Sequence, residues 1–146
     1  MNTIRQITAE ETYIVRQEVL RKGQPPESCR FDGDELPTTV HLGLFDNGML
    51  AGIVTVLDHG NPVFGTGKAF QLRGMAVRTT HQMKGFGAAL LSGAEAFVKT
   101  EGGTVVWFNA RTTAVGFYEK AGYQKNGPAF EIGNVGPHYM MFKAIL

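Results

Sequence analysis

A pair of glycines stands where the sequence predicts a helix to begin. Residues 81–91 read HQMKGFGAALL, and Gly85 and Gly87 lie at the start of an apolar stripe with helical spacing. The first N–H groups of a helix have no partner inside it and lie at the positive end of its dipole. Glycine in a helix costs about 1 kcal/mol relative to alanine, but hydrogen bonds from bare amides to a large anion contribute about 1.5–3 kcal/mol each. The pattern predicts an anion site in residues 82–88, which we call the glycine loop, or else a structural turn with incidental glycines.

Nucleotide-binding motifs do not account for these glycines. A phosphate loop reads G-x-x-x-x-G-K-[ST], but Pro62 holds its first glycine position and Ala69 its hydroxyl position. The dinucleotide motif G-x-G-x-x-G fails because a leucine holds its third glycine position. A nucleoside-triphosphate site at residues 65–68 is therefore the weakest hypothesis. Arg78 and Lys84 flank the glycine loop, and we expect both to add positive charge beside a bound anion.

Side chains that could accept a proton lie mostly on predicted strands. Histidine titrates near neutral pH without perturbation, which makes His138 the first candidate for a general base. Glu131, His41 and a chain of water molecules remain alternatives. The other two histidines, His59 and His81, have no metal-ligand spacing, so we expect surface positions for them and no metal site.

The segment over residues 23–37 is rich in proline, glycine and acids, which predicts a loop. We expect this loop to be solvated, or alternatively to act as a lid that attracts a cationic amine. Cys29 within it has no neighbour that would activate it as a nucleophile, so we expect a plain thiol. The loop sets four carboxylates against the single arginine Arg30, and these are Glu27, Asp32, Asp34 and Glu35.

Length, charge and composition restrict the class of protein. The 146 residues allow one domain, predicted to span residues 1–146. A composition of 43% apolar and 18% charged residues is typical of a globular chain. A net charge of +1 gives no support for a nucleic-acid partner. The sequence has one cysteine and shows no apolar run of signal-peptide or membrane-spanning length. These features predict a cytoplasmic protein without a membrane partner.

The elements that position these residues follow from periodicity and turn signals. Thr8 and Glu11 form a capping box that starts a helix continuing to about Lys22. The turn at residues 46–48 predicts a hairpin, and Gly74 predicts a bulge in its strand. The apolar contacts expected of the first helix are Tyr13, Ile14, Val15, Val19 and Leu20. The remaining predicted elements are strands over residues 3–7, 39–45, 49–57, 69–77, 104–110, 129–133 and 138–145, and helices over 85–101 and 113–121. This order, β-α-β-β-β-α-β-α-β-β, predicts a mixed α+β fold with one parallel crossover.

Two segments resemble the GNAT superfamily of acetyl-CoA-dependent N-acetyltransferases. QMKGFGA at residues 82–88 resembles the family's [Q/R]-x-x-G-x-[G/A] segment. NARTTAVGFYEKAGY at residues 109–123 resembles its second motif, N-x-x-A-x-x-F-Y-x-x-x-G-F, with Tyr123 in place of phenylalanine. The resemblance implies a GNAT-like fold, in which a central mixed β-sheet of six to seven strands is flanked by three to four helices. The fourth and fifth strands would be splayed.

The resemblance also implies where acetyl-CoA binds. Its pantetheine arm would lie between the splayed strands, and its pyrophosphate would meet the glycine loop. The residues assigned to acetyl-CoA in this way are Met75, Ala76 and Val77 along the arm, Gln82, Met83, Lys84, Gly85, Phe86, Gly87 and Ala88 at the pyrophosphate, and Asn109 and Phe117 beside the arm.

Tyr118 resembles the general acid of the family. A phenol of pKa about 10 donates a proton uphill to a thiolate of pKa about 8.5, so we expect its contribution to be a hydrogen bond to the developing charge. A backbone N–H near Met75 or Ala76 would meet the oxyanion of the tetrahedral intermediate. The alternative is that Tyr118 is only a core aromatic residue.

The implied activity is transfer of the acetyl group of acetyl-CoA to a primary amine by direct attack in a ternary complex. The acceptor would be a small molecule or a peptide, and the resemblance also allows for a homodimer. The rival hypothesis is a non-catalytic acyl-CoA-binding or regulatory module of the same fold.

Overall fold

Seven strands and three α-helices follow one another in the computed structural model, which describes residues 2–145. The strands are β1 (Asn2–Ile7), β2 (Val40–Asp46), β3 (Met49–Leu57), β4 (Ala69–Val77), β5 (Val105–Arg111), β6 (Gln124–Ile132) and β7 (Gly136–Ala144). The helices are α1 (Ala9–Val15), α2 (Phe86–Thr100) and α3 (Val115–Lys120). The predicted order of elements is confirmed. No helix within residues 2–145 has the length and apolar character needed to cross a bilayer.

The strands form a mixed sheet in the order β1-β2-β3-β4-β5-β7-β6. β4 and β5 pair in parallel, with α2 as the crossover between them, and the described register runs from Ala69–Val105 to Gln71–Trp107. The pairs β1–β2, β2–β3, β5–β7 and β6–β7 are antiparallel. This is the predicted α+β architecture with one parallel crossover.

The chain divides into two compact units. The first comprises the described residues up to Asp58 together with Leu72–Phe97, and the second comprises His59–Gln71 together with the described residues from Val98 onward. A core cluster of the first unit contains Ile7, Val15, Ile53 and Ala76, with Val19, Leu20, Phe45 and Leu50 packed against it.

The sheet of the second unit has two distinct faces. Register partners point to the same face and successive residues to opposite faces, so Trp107 and Phe108 point in opposite directions. Phe108 packs against Tyr118 and Tyr123, with ring centroids 4.4 and 4.9 Å apart. Trp107 packs instead against Phe64 and His59, with centroids 6.4 and 6.0 Å apart. We call these the tyrosine face and the tryptophan face.

Local signals for the start of α1 and for the β2–β3 turn are confirmed. The Glu11 amide donates to Thr8 Oγ1 at 3.1 Å, and the Thr8 amide donates to Glu11 Oε1 at 2.9 Å, which completes the capping box. Asn47 and Gly48 both have positive φ, 51° and 84°, as a two-residue type I′ hairpin requires.

The first helix departs from its predicted form. The α-helix ends at Val15, and a π-helical turn over Arg16–Leu20 follows, closed by the Arg21 amide donating to Arg16 O at 2.8 Å. Ile14, predicted as a core contact, is 57% exposed, whereas Arg16 is fully buried. The buried residues 12, 15 and 16 follow ordinary helical spacing, and this spacing leaves Ile14 on the outer face.

The last hairpin is longer than predicted. β6 begins at Gln124 instead of residue 129. It pairs with β7 both before and after a register shift between Asn126 and Phe130. Gly127 lies inside this shift with φ 80°, a conformation that favours glycine.

Candidate functional site

The glycine loop leads from β4 into α2 and presents free amide groups. Met83 and Gly85 both have positive φ, 66° and 79°, which turns the chain sharply before the helix. The first described helical hydrogen bond runs from the Ala89 amide to Gly85 O at 3.1 Å. The amides of residues 86–88 precede that bond and therefore have no carbonyl one turn back in the helix. The arrangement suits an anion at the start of α2.

The side chains of the loop leave this surface open. Phe86 is buried and anchors the helix start, whereas Gln82, Met83, Lys84 and Ala88 are exposed. Met83 is a non-glycine residue in the left-handed region, and its side chain is fully exposed. Backbone strain of this kind is retained where the surroundings fix the conformation.

Contacts within the first unit hold the loop in place. Gln82 Nε2 donates to Val77 O at 3.0 Å, which ties the loop back to the end of β4. The His81 ring stacks on Phe86 with centroids 6.2 Å apart, and its Nε2 lies 3.7 Å from Asp46 Oδ2. His81 was predicted on the surface, but its side chain is only 12% exposed because of these contacts.

Glu18 changes the expected charge beside the loop. Arg78 donates from Nε to Glu18 Oε1 at 3.0 Å, and the Thr79 amide donates to Glu18 Oε2 at 3.0 Å. The hydrogen bond from the Thr79 amide, followed by those from Arg78, lowers the pKa of Glu18 although burial opposes it. Arg78 is thus paired and does not offer the free positive charge predicted for it, whereas Lys84 remains exposed.

β4 supplies the backbone next to the glycine loop. Ala76 is buried, and Met75 and Val77 are partly buried. Gly74 has φ 61°, a conformation that favours glycine, and a Cβ there would make a tight contact with the Phe31 ring at 3.1 Å. This irregularity lies where the sequence predicted a bulge.

Tyr118 lies on α3 at the tyrosine face. It is partly buried, and its ring contacts Phe108, Phe117 and Tyr123. Burial raises the pKa of Tyr118 to about 12, so the phenol keeps its proton at neutral pH. Phe117 beside it is 42% exposed, so part of its ring is accessible to a ligand.

Asn109 and His138 lie on the opposite, tryptophan face. Asn109 is exposed and pairs in register with Met140, and His138 pairs with Arg111. His138 is 5% exposed, and its Nδ1 lies 2.8 Å from Gly136 O. Because a carbonyl can only accept, Nδ1 carries the proton and Nε2 is the basic nitrogen. The sheet thus separates Tyr118 from both residues, and Glu131 is exposed on β6.

A buried polar network in the first unit was missed by sequence reasoning. Arg16 donates to both carboxylate oxygens of Asp34 at 2.7 and 3.0 Å, to Cys29 O at 2.8 Å and to Thr55 Oγ1 at 2.9 Å. Burial alone would raise the pKa of Asp34, but the hydrogen bonds from Arg16 and the Phe31 amide outweigh it and lower the pKa. The sequence held one signal, since Arg16 continues the buried spacing of residues 12 and 15.

This network corrects two expectations about the acidic loop. Asp34 is buried and paired, so the segment is fastened to the core at that point and is not simply solvated. His41, one of the alternative bases, is 4% exposed, and its ring nitrogens lie 2.8 Å from Thr55 Oγ1 and 3.0 Å from Asp34 O. Both nitrogens are therefore occupied. Cys29 is buried, as suits an unreactive thiol.

Metal ligands are not grouped in the part of the chain that the structure describes: no set of three or more His, Cys, Asp or Glu side chains there could hold an ion.

Comparisons with known proteins agree with the architecture. The family model described as an acetyltransferase (GNAT) domain matches residues 18–143. The uncharacterized N-acetyltransferase YitI of Bacillus subtilis (strain 168) is 32% identical over 145 residues, which cover 99% of this chain and 97% of that protein.

Two solved structures have the same fold. The ribosomal-protein-S18-alanine N-acetyltransferase from Escherichia coli has a TM-score of 0.76 at 20% identity, over 99% of this chain and 94% of its own. An aminoglycoside 6′-N-acetyltransferase complexed with coenzyme A has a TM-score of 0.75 at 17% identity, over 99% and 97%. At such low identity these likenesses show the fold alone.

Proposed function

The chain belongs to the GNAT family of acetyltransferases, and from this membership we propose that it transfers the acetyl group of acetyl-CoA to a primary amine. The enzyme class, an N-acetyltransferase that uses acetyl-CoA as co-substrate, is that of the family. The acceptor, the mechanism and the roles of individual residues are our proposal. We also propose that residues 1–146 act as one catalytic domain. A cytoplasmic location and a homodimer stay predictions.

The observation that carries the proposal is the glycine loop. The amides of residues 86–88 have no helical partner and precede a 15-residue helix whose dipole favours an anion. Charged ligands gain about 1.5–3 kcal/mol from each such hydrogen bond. We assign the pyrophosphate of acetyl-CoA to Gln82, Met83, Lys84, Gly85, Phe86, Gly87 and Ala88. The pantetheine arm is assigned to Met75, Ala76, Val77, Asn109 and Phe117.

The reaction is direct attack of the amine nitrogen on the thioester carbonyl carbon. The N–C bond forms, the C–S bond breaks, the amine loses one proton and the leaving thiolate is stabilised or protonated. A lysine-like amine of pKa about 10.4 is neutral only at a cost of about 4.6 kcal/mol at pH 7, so proton removal is a substantial part of the barrier. A backbone N–H near Met75 or Ala76 would stabilise the oxyanion.

Tyr118 is assigned to the leaving group. With its pKa raised to about 12, its proton is held more tightly than a thiolate of pKa about 8.5 would hold it. Full transfer in the ground state is therefore unfavourable, and the phenol acts as a hydrogen-bond donor to the charge that develops on sulfur. The same property keeps Tyr118 protonated over the whole neutral range.

His138 is assigned as the general base. Its Nδ1–H donates to Gly136 O, which leaves Nε2 free to accept the amine proton directly or through water. Glu131 and a water chain are the alternatives. His41 is the weakest, since both of its ring nitrogens already have partners.

The decisive experiment is a turnover screen. Acetyl-CoA would be offered with small amines, amino acids, an aminoglycoside and peptides with a free N-terminus or lysine, and thiol release would be followed. Thiol release with at least one amine class supports the proposal. Binding of acetyl-CoA, seen as a thermal shift, without turnover in any class would favour the non-catalytic acyl-CoA-binding module instead.

A further inference from the structure

Gln71 is a buried polar side chain with an unused acceptor. It lies on β4, is 5% exposed, and its Oε1 has no hydrogen-bond partner among residues 2–145. One other buried side-chain atom of the described chain shares this property, Arg16 Nε. The Arg16 guanidinium lies 3.9 Å from the centre of the Phe31 ring and uses its remaining N–H groups on four acceptors. Gln71 has no such explanation.

The neighbouring side chains cannot satisfy this oxygen. Gln71 pairs in parallel register with Trp107, so the two side chains point to the same face. The indole N–H of Trp107 is the nearest candidate donor by register, but it donates to His59 O at 2.9 Å. Phe64 packs against Trp107 and Phe142 packs against Phe64, and neither ring has a donor to offer.

The position of Gln71 is one where a ligand could supply the donor. The described register of β4 with β5 ends at the Gln71–Trp107 pair. Asn109, two residues further along the same face of β5, is exposed. A buried acceptor left unsatisfied lowers stability, and each such group in a native protein calls for an explanation, such as a catalytic role, an ordered water or an ion.

We propose that Gln71 Oε1 accepts a hydrogen bond from the N–H of the acceptor amine and thereby positions the amine for attack. The inference rests on the proposed function and names a residue for its acceptor site. A carboxamide suits this role because it orients the amine without the negative charge that would stabilise the unreactive ammonium form. Gln71 is a binding and positioning residue, and it takes no proton itself.

The position also bears on proton transfer. His138 shares the tryptophan face, but its register partner Arg111 lies four residues beyond Trp107, about 13 Å along the strand. An amine at Gln71 would therefore pass its proton to His138 through intervening water.

The test measures amine binding without turnover. The protein is saturated with coenzyme A, which lacks the acetyl group, and two probes are titrated in turn: 2-phenylethylamine and a trialanine amide with a free N-terminus. Gln71→Met keeps the length of the side chain but removes its acceptor. Gln124→Met is the matched control, since Gln124 is exposed and lies at the register position of Phe142 on the same sheet.

The proposal predicts that Gln71→Met weakens binding of the better probe by at least about tenfold, while Gln124→Met changes it by less than about twofold. Coenzyme A affinity and the melting temperature without amine should not fall in Gln71→Met, because an unsatisfied acceptor has been removed. A lower melting temperature with unchanged amine affinity would instead assign Gln71 a structural role and overturn the proposal.

A second measurement uses the wild-type chain. The side-chain amide resonances of Gln71 should shift when the better probe is added to the coenzyme A complex. No shift, or no binding of either probe, overturns the assignment. These results are independent of acetyl transfer, so a turnover screen that fails would sink the proposed function while Gln71 could still be shown to bind amines.

Discussion

The ring centroids of Tyr118 and Phe108 lie 4.4 Å apart, the shortest centroid distance described between two rings among residues 2–145. This contact ties α3 to β5 and removes part of the phenol from water, which raises the pKa of Tyr118 to about 12. The same burial that makes Tyr118 look like a core residue thus makes it a persistent hydrogen-bond donor. A packed tyrosine and a catalytic tyrosine are compatible assignments here.

Replacing Tyr118 with phenylalanine separates the two roles. Tyr118→Phe keeps the ring contact with Phe108 but removes the hydroxyl, so we expect kcat at saturating acetyl-CoA to fall by about ten- to hundredfold. Acetyl-CoA affinity and melting temperature should change little. Tyr139→Phe, which removes a hydroxyl from β7, is the matched control and should retain activity. Unchanged kcat in Tyr118→Phe would leave Tyr118 a purely structural residue.

The sequence was most informative where the signals are local. The Thr8 capping box and the turn at Asn47 depend on residues close in the chain, and both were predicted correctly. The periodicity of the first helix was wrong at Ile14, which is exposed. Arg16 and Asp34 are 18 residues apart, and their buried ion pair lies where α1 passes into the π-helical turn over Arg16–Leu20. No local pattern specifies either that pair or that turn.

The candidate site was predictable only in part for the same reason. The motif segments indicated the glycine loop, and its conformation agrees with an anion site. Arg78 pairs with Glu18, which lies 60 residues earlier in the π-helical turn after α1, so nearby residues do not indicate this partner. The unsatisfied oxygen of Gln71 depends on strand register and on where the Trp107 indole donates, which a single sequence does not specify.

Removing the charge of Asp34 should destabilise the first unit strongly. Asp34→Asn leaves the Arg16 guanidinium fully buried without a counter-charge, and breaking such a pair costs about 3–5 kcal/mol. Urea denaturation measures the change in the free energy of unfolding. Asp32→Asn, in the same loop but exposed, is the control and should stay within about 0.5 kcal/mol of wild type. Equal effects of both variants would show that the buried pair adds nothing.

The same pair predicts an acid-sensitive stability. The pKa of Asp34 is lower in the folded state than its value of about 3.9 in an unfolded chain, so the folded state favours the ionised form. The stabilisation is present above the unfolded pKa and is lost as the pH falls through the folded pKa. Wild-type unfolding free energy should therefore fall below about pH 4, and the fall should be smaller in Asp34→Asn. Parallel pH profiles for the two proteins would contradict this origin.

Glu18 should weaken anion binding by pairing with Arg78. Glu18→Gln keeps an oxygen for the Thr79 amide but removes the negative charge, so acetyl-CoA should bind up to about fivefold more tightly at low ionic strength. The gain should shrink at about 1 M salt, where screening is strong. Glu10→Gln, which removes an exposed carboxylate from α1, is the control. Weaker binding in Glu18→Gln at all salt concentrations would mean that Glu18 acts chiefly by positioning the loop.

Two alanine substitutions test why the glycine loop contains its glycines. Gly85 has φ 79°, and the space where a Cβ would lie is open. Gly85→Ala therefore costs only the strain of a left-handed backbone, about 1–2 kcal/mol. We expect it to lower both stability and acetyl-CoA affinity. Gly87 lies inside α2, where alanine is preferred by about 1 kcal/mol, so Gly87→Ala should preserve or raise stability. Its methyl group would nevertheless be added to the segment whose amides we assign to the pyrophosphate, so we expect weaker acetyl-CoA binding. Thermal unfolding and calorimetric titration separate the two effects, and full acetyl-CoA affinity in Gly87→Ala would show that this glycine is incidental to the anion site.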